Sequence, residues 1–203
     1  MEKLNKEEII RNVFNREILI SSILLFLASE INPYVGKYII PLYAANRPSA
    51  PDLFFLLMPY VKIATSLNIY LCALILLVFI VSIFKENGKN LSKYLFALTI
   101  AYWMRAIVIL FTPLGVPSGI DLTGVNTQSE LWDSGFFFSG HTIFLVTTYL
   151  YINGKHKILK NIGLILCVLG VIVILLARNH YSIDIYGGIV TSLLIYEYMK
   201  RKK

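Results

Sequence analysis

Charge is scarce in this 203-residue sequence: Asp, Glu, Lys and Arg make up 15% of it, against about 25% in an average soluble domain. That shortage excludes an ordinary soluble domain, which needs a polar surface over its core. Cysteine is almost absent as well, with Cys72 and Cys167 alone. Both lie inside apolar runs, so they read as packing residues rather than as a disulfide or a metal pair. There is no His-Glu-x-x-His motif, no internal repeat and no low-complexity tract. No small-x-small cleavage site follows the first apolar run, which speaks against a removable signal peptide.

What the sequence has is apolar length. Hydrophobic residues make up 57% of it and fall in long runs separated by short polar clusters. A helix needs roughly 20 apolar residues to cross the hydrocarbon. Leu67 to Phe84 is the clearest run, and Leu159 to Ala177 is polar only at Lys160 and Asn161. Leu95 to Phe111 is interrupted by Arg105, and Phe136 to Ile152 and Ile183 to Met199 follow. The first run, Ile18 to Ile31, carries Glu30 near its end. The expectation is an all-α, polytopic membrane protein of six transmembrane helices. Residues 1–16 would be a cytoplasmic segment, 17–199 the membrane domain and 200–203 a cytoplasmic basic tail.

Six crossings put both termini on one side. That side collects Lys3, Lys6, Arg11, Arg16, Lys85, Lys89, Lys93, Lys155, Lys157, Lys160, Lys200, Arg201, Lys202 and Lys203, most of the 19 basic residues. Basic residues favour the cytoplasmic side, so both termini are expected there. The net charge of +7 is then an orientation signal and a contact for anionic lipid, not a nucleic-acid surface. Tyr34, Tyr60, Trp103, Trp132 and Tyr198, near run ends, read as interfacial anchors. His156, among lysines, reads as solvated.

Polar groups at membrane depth are costly and therefore functional candidates. Ser139-Gly140-His141-Thr142 pairs a helix-capping serine with a glycine, and free amides at a helix start bind phosphate. His141 would face that anion, or else merely fill a helix interface. In Arg178-Asn179-His180-Tyr181-Ser182-Ile183-Asp184, His180 and Asp184 share a face if the segment is helical. The carboxylate would orient the imidazole as a nucleophile or base. Arg178 offers a fork of donors suited to phosphate, or pairs with Asp184. Arg105, inside its run, needs an anion: Asp184, Asp133, Glu130 or a substrate phosphate. The stretch from 112 to 134, acidic and glycine-bearing from Asp121 to Asp133, is a lid or a plain connection. A metal site from His141, His180 and Asp184 is disfavoured by the arginines around it, and neither metal nor cofactor is expected.

Two histidines, one carboxylate and two arginines suit phosphoryl transfer from a lipid. His180 would attack phosphorus and form a phosphohistidine, with Asp184 stabilising its charge. His141 would protonate the leaving alcohol and then serve as base for the acceptor. Arg105, Arg178, Ser139 and Gly140 would bind the phosphoryl oxygens. The acceptor, water or a lipid alcohol, separates a hydrolase from a transferase.

Phe138-Ser139-Gly140-His141-Thr142 and His180-Tyr181-Ser182-Ile183-Asp184 resemble the two catalytic motifs of the type 2 phosphatidic acid phosphatase superfamily, PAP2. The closer likeness is to its sphingomyelin synthase branch, where a threonine usually stands at Ser182. Pro51-Asp52-Leu53-Phe54-Phe55 and the stretch from Arg105 to Pro117 resemble further motifs of that branch. The resemblance covers about residues 17–199. It implies a six-span bundle with cytosolic termini and a site on the non-cytoplasmic face. It implies His180 as nucleophile, Asp184 as its orienting acid and His141 as the second catalytic histidine.

The implied reaction moves a phospho-head-group from a glycerophospholipid to a lipid alcohol such as ceramide. The alternatives are a phospholipase C-like or PAP2-type hydrolase, and a non-catalytic lipid binder or transporter. The partners expected are thus a membrane phospholipid and a lipid alcohol or water. Two departures matter. Ile174 stands where the general phosphatases carry an arginine, which speaks against an ordinary phosphatidic acid or undecaprenyl pyrophosphate phosphatase. Asp133 is displaced by two from the acid that usually precedes the first histidine motif, leaving the head group open. With a short segment before the first run, the expectation is a minimal version of the branch whose acceptor need not be ceramide.

Overall fold

The computed structural model describes residues 6–44, 47–115, 117 and 137–201, and the secondary structure of these is helical throughout. Helix α1 (Lys6–Val13) leads into α2 (Arg16–Tyr34), capped by Asn15, whose side chain accepts from the Ile18 amide at 2.9 Å. Pro33 lacks an amide proton, and the chain beyond it winds into a π turn (Val35–Ile39) and then a 3-10 turn (Ile40–Leu42). Short α3 (Leu53–Leu57) starts on Asp52. A hairpin of α4 (Ile63–Lys85) and α5 (Leu91–Val108) follows. Then come α6 (Gly140–Tyr151), α7 (Lys157–Leu176) and α8 (Ser182–Arg201).

Helix α6 is the axis of the bundle and touches α4, α5, α7 and α8, while α2 lies along α5 and α4 along α7. Ile75 and Phe79 of α4, Ala101 of α5, Ile143 and Leu145 of α6 and Ile174 of α7 are almost wholly buried between them. Buried hydroxyls also join the helices. Tyr94 and Thr148 lie 3.1 Å apart, Thr147 donates to Ser192 at 3.2 Å, and Thr99 donates to the Ser21 carbonyl at 3.0 Å. Within a bilayer such bonds hold helices together where the hydrophobic effect between them is weak.

Six crossings are not what the structure contains. Among the described residues, three helical stretches are long and apolar enough to cross a membrane: Arg16–Leu42, Ile63–Lys85 and Lys157–Leu176. They correspond to the runs at Ile18 to Ile31, Leu67 to Phe84 and Leu159 to Ala177. The other three fail for separate reasons. Ser139 caps α6 so late that only 12 residues are helical, about 18 Å of rise against roughly 30 Å of hydrocarbon. Helix α5 has 18 residues and includes Lys93 and Arg105. Helix α8 includes Asp184, Glu197, Lys200 and Arg201. The protein is therefore an all-α, polytopic membrane bundle with three long apolar helices. Two of these turn apolar side chains outward: Leu67, Leu74 and Leu77 from α4, and Leu164, Ile165 and Val168 from α7 are exposed.

Cys72 and Cys167 are free thiols within α4 and α7. His156 differs from expectation: its Nε2 lies 3.7 Å from Glu86, and it is partly buried. At that same end, Asn12 of α1 donates to the Asn87 carbonyl at 2.7 Å and Lys89 pairs with Glu8 at 3.4 Å.

Candidate active site

The starts of α6 and α8 meet at the other end of the bundle. Ser139 is the N-cap of α6, and its hydroxyl accepts from the Thr142 amide at 3.2 Å. Its own amide donates to the Asp184 carbonyl at 3.0 Å, which joins the two polar motifs through the backbone. Gly188 permits this approach. A Cβ there would lie 3.0 Å from Thr142 Cβ and 3.1 Å from the Ser139 carbonyl. Gly140 differs, since a Cβ on it would meet Arg105 Nε at 3.6 Å, ordinary contact. Two helix N-termini side by side concentrate positive potential where an anion would sit.

His141 opens α6 and is partly exposed; its ring centroid lies 6.1 Å from that of His180. His180 is not on a helix, as the spacing argument assumed, but in the turn before α8. The pair with Asp184 forms nonetheless, because Asp184 stands in the first turn of α8. His180 Nδ1 lies 3.5 Å from Asp184 Oδ2, within ion-pair range and long for a hydrogen bond. Oδ2 also accepts from the Tyr181 amide at 3.0 Å, the reach-back of a capping box. Asp184 is fully buried, and Oδ1 has no hydrogen-bond partner among the described residues. An unmet carboxylate oxygen at such depth costs about 1–3 kcal/mol or more.

The surrounding segments are tied to this turn. Asp52 Oδ2 accepts from the Ser182 amide at 2.6 Å, capping α8 from another part of the chain, while Oδ1 caps α3 through the Phe54 amide at 2.9 Å. The Tyr181 hydroxyl donates to the Gly115 carbonyl at 3.0 Å and accepts from the Ala50 amide at 3.1 Å. Burial pushes that phenol above its ordinary range.

Arg105, buried near the end of α5, donates through Nε to the Phe138 carbonyl at 2.8 Å and through Nη1 to Asn32 Oδ1 at 2.6 Å. Asn32 in turn donates to the carbonyls of Ala28 at 2.6 Å and Tyr102 at 3.1 Å. Glu130 and Asp133, two of the anions expected for Arg105, lie outside the described residues, as do Trp132, the Asp121 to Asp133 loop and most of the 112–134 stretch.

Arg178 sits just past α7 with φ 51°. Its amide donates to the Leu175 carbonyl at 3.0 Å and that of Asn179 to Ile174 at 3.3 Å, a Schellman ending whose left-handed position usually holds glycine. Its side chain compensates. Nη2 donates to the Phe55 carbonyl at 2.8 Å and to Met58 at 3.4 Å, and the guanidinium lies 5.1 Å from the Phe55 ring. Arg178 thus fastens α3 to the end of α7.

Sequence reasoning missed Asn32 as the partner of Arg105; its only sign was an amide beside Pro33 at the end of an apolar run. It noted Asp52 within a resemblance but not as the cap of α8. Among the described residues, no three His, Cys, Asp or Glu side chains converge as metal ligands.

Residues 135–202, which hold His141, His180 and Asp184, match the family described as PAP2 superfamily C-terminal. That match covers the C-terminal third of this chain, and over most of its length the chain is similar to sphingomyelin synthase-like proteins. It is 24% identical to phosphatidylcholine:ceramide cholinephosphotransferase 1 of Caenorhabditis elegans, over 82% of this chain and 42% of that protein. It is 25% identical to sphingomyelin synthase-related 2 of the same organism, over 72% of this chain and 54% of that protein. To sphingomyelin synthase-related protein 1 of Mus musculus it is 24% identical, over 73% and 37%. The chain spans about half the length, or less, of these curated relatives.

Proposed function

We propose that this chain is a membrane phospholipid phosphotransferase, with residues 17–199 as its catalytic domain. The observation that carries the reading is the convergence of His141, His180 and the buried Asp184 where the starts of α6 and α8 are joined through Ser139. His180 Nε2 attacks the donor phosphorus, and the bond from phosphorus to the glyceride oxygen breaks. His141 gives that oxygen its proton, so diacylglycerol leaves and the head group stays on His180. An acceptor hydroxyl then loses its proton to His141, attacks phosphorus and releases His180. Asp184 holds Nδ1 and offsets the positive charge formed on the ring. Arg105, the backbone at Gly140 beside the Ser139 cap, and the charge of Arg178 stabilise the phosphoryl oxygens. In the resting geometry the 3.5 Å contact is long, and such contacts tighten once substrate is bound.

The relatives named as cholinephosphotransferases support a lipid alcohol as acceptor. Water in its place would make the protein a phospholipid hydrolase. Lysines crowd the end of the bundle formed by the α4–α5 and α6–α7 turns and the end of α8. By the positive-inside tendency that end, with both termini, faces the cytoplasm and the site faces away. The test is turnover of head-group-labelled phospholipid by purified protein with and without ceramide or diacylglycerol. Label moving to the acceptor supports the transferase. Label released as free phospho-head-group without acceptor selects the hydrolase, and no turnover by folded protein rejects both.

A further inference from the structure

At the end of the bundle opposite the histidines, a cavity of about 320 Å³ opens between the end of α6, the start of α7, the first turn of α5 and the last turns of α8. Lys93, Lys160 and Lys200 line it, with Asn90, Tyr151 and Tyr196, and among the described residues no Asp or Glu does. Lys160 is fixed. Its ammonium donates to the carbonyls of Tyr149 at 2.7 Å, Ile152 at 3.1 Å and Leu150 at 3.3 Å, and lies 4.0 Å from the centroid of the Tyr149 ring. It fills the open end of α6 and places an ammonium at the cavity wall. Lys93 and Lys200 are exposed, and Lys200 makes a surface contact with Glu197 at 3.7 Å.

A second observation is independent of charge. Tyr151 is 6% exposed, yet its hydroxyl is buried with no hydrogen-bond partner among the described residues. Its ring is held edge-on to Tyr196, with centroids 5.4 Å apart. Buried hydroxyls normally find partners. At the wall of a cavity ringed by three lysines, this phenol leaves a donor that an anion held by the lysines can meet.

We propose that this cavity binds a phosphate-bearing anion, as the head group of an anionic phospholipid in the adjacent leaflet. Lys93 and Lys200 supply mobile charge, Lys160 supplies fixed charge and Tyr151 donates through its hydroxyl. The size suits a head group, since small-ligand sites begin at roughly 300 Å³. Basic pockets between helices are where such head groups settle. The site is distinct from the histidine cluster and does not depend on the reaction proposed there.

The experiment measures binding and thermal stability of the full chain in detergent with phosphatidylglycerol, with phosphatidylcholine, and with glycerol 1-phosphate as the soluble phosphomonoester. The Tyr151→Phe variant and the Lys93→Gln, Lys200→Gln double variant, both outside the catalytic cluster, are compared with the native protein. Phosphatidylglycerol should raise Tm and bind; Tyr151→Phe should weaken it about tenfold, the worth of one hydrogen bond to a charged group, and the double lysine variant by at least as much. Protection by glycerol 1-phosphate alone, lost in the same variants, would keep the anion site but overturn the lipid as its source. Equal binding of phosphatidylcholine and phosphatidylglycerol, or affinities unchanged in folded variants, would overturn the proposal.

Discussion

The two ends of α6 and α8 share the same helices and differ in every electrostatic respect. At one end stand the N-termini, where Ser139, Asp52 and the buried Asp184 satisfy amides and the arginines Arg105 and Arg178 are held in hydrogen bonds. At the other end stand the C-termini, where Lys160 satisfies carbonyls and exposed lysines reach water. Each arrangement follows the direction of the helix dipole. The difference teaches where precision is stored. The catalytic end holds charge at depth, so each polar atom there needs a specific partner. The basic end holds charge at the surface, where solvent tolerates substitution.

Four measurements can break or sharpen that contrast. The largest effect is expected for His180→Ala. Turnover should fall by at least about 10³-fold, with no trapped phosphohistidine. Full activity in a labelled head-group assay would end the mechanism. Asp184→Asn comes next. The amide oxygen can still accept from Tyr181, so folding should persist, while turnover drops by about 10²–10⁴-fold because the charge opposing the imidazole is gone. Thermal unfolding measured beside activity separates the two effects.

Asn32→Ala should destabilise the protein by about 1–3 kcal/mol, because it strands one donor of a buried guanidinium. Turnover should also fall as Arg105 shifts, and a variant with native stability would remove Asn32 from the site's support. The smallest effect belongs to the basic end. Lys89→Ala removes the surface pair with Glu8 and should change stability by less than about 1 kcal/mol. A loss as large as that of Asn32→Ala would erase the distinction between the ends.

The parts of the site that were legible in the sequence are local. Ser139 signals a helix start, and His180 with Asp184 signals a pair four residues apart. Both are met in the structure, although His180 stands ahead of α8 and not on it. The parts that were not legible are long-range. Asn32 and Arg105 are 73 residues apart, and Asp52 and Ser182 are 130 apart. Nothing in either stretch alone names its partner. The expected count of crossings failed for a related reason. Runs of apolar residues were measured, but caps and charged residues decide how much of each run is an apolar helix.

By itself, the sequence determined that this chain is helical, apolar and lipid-embedded, and which histidines and carboxylate are candidates for chemistry. Composition, periodicity and capping act over a few residues, so they can be read in order along the chain. Only the tertiary structure decided that Arg178 fastens α3, that Asn32 holds Arg105, and that Ser139 is joined to Asp184. Those outcomes depend on which helix ends are packed together. That packing balances burial of polar groups against the partners available in space, and only the folded bundle supplies the partners.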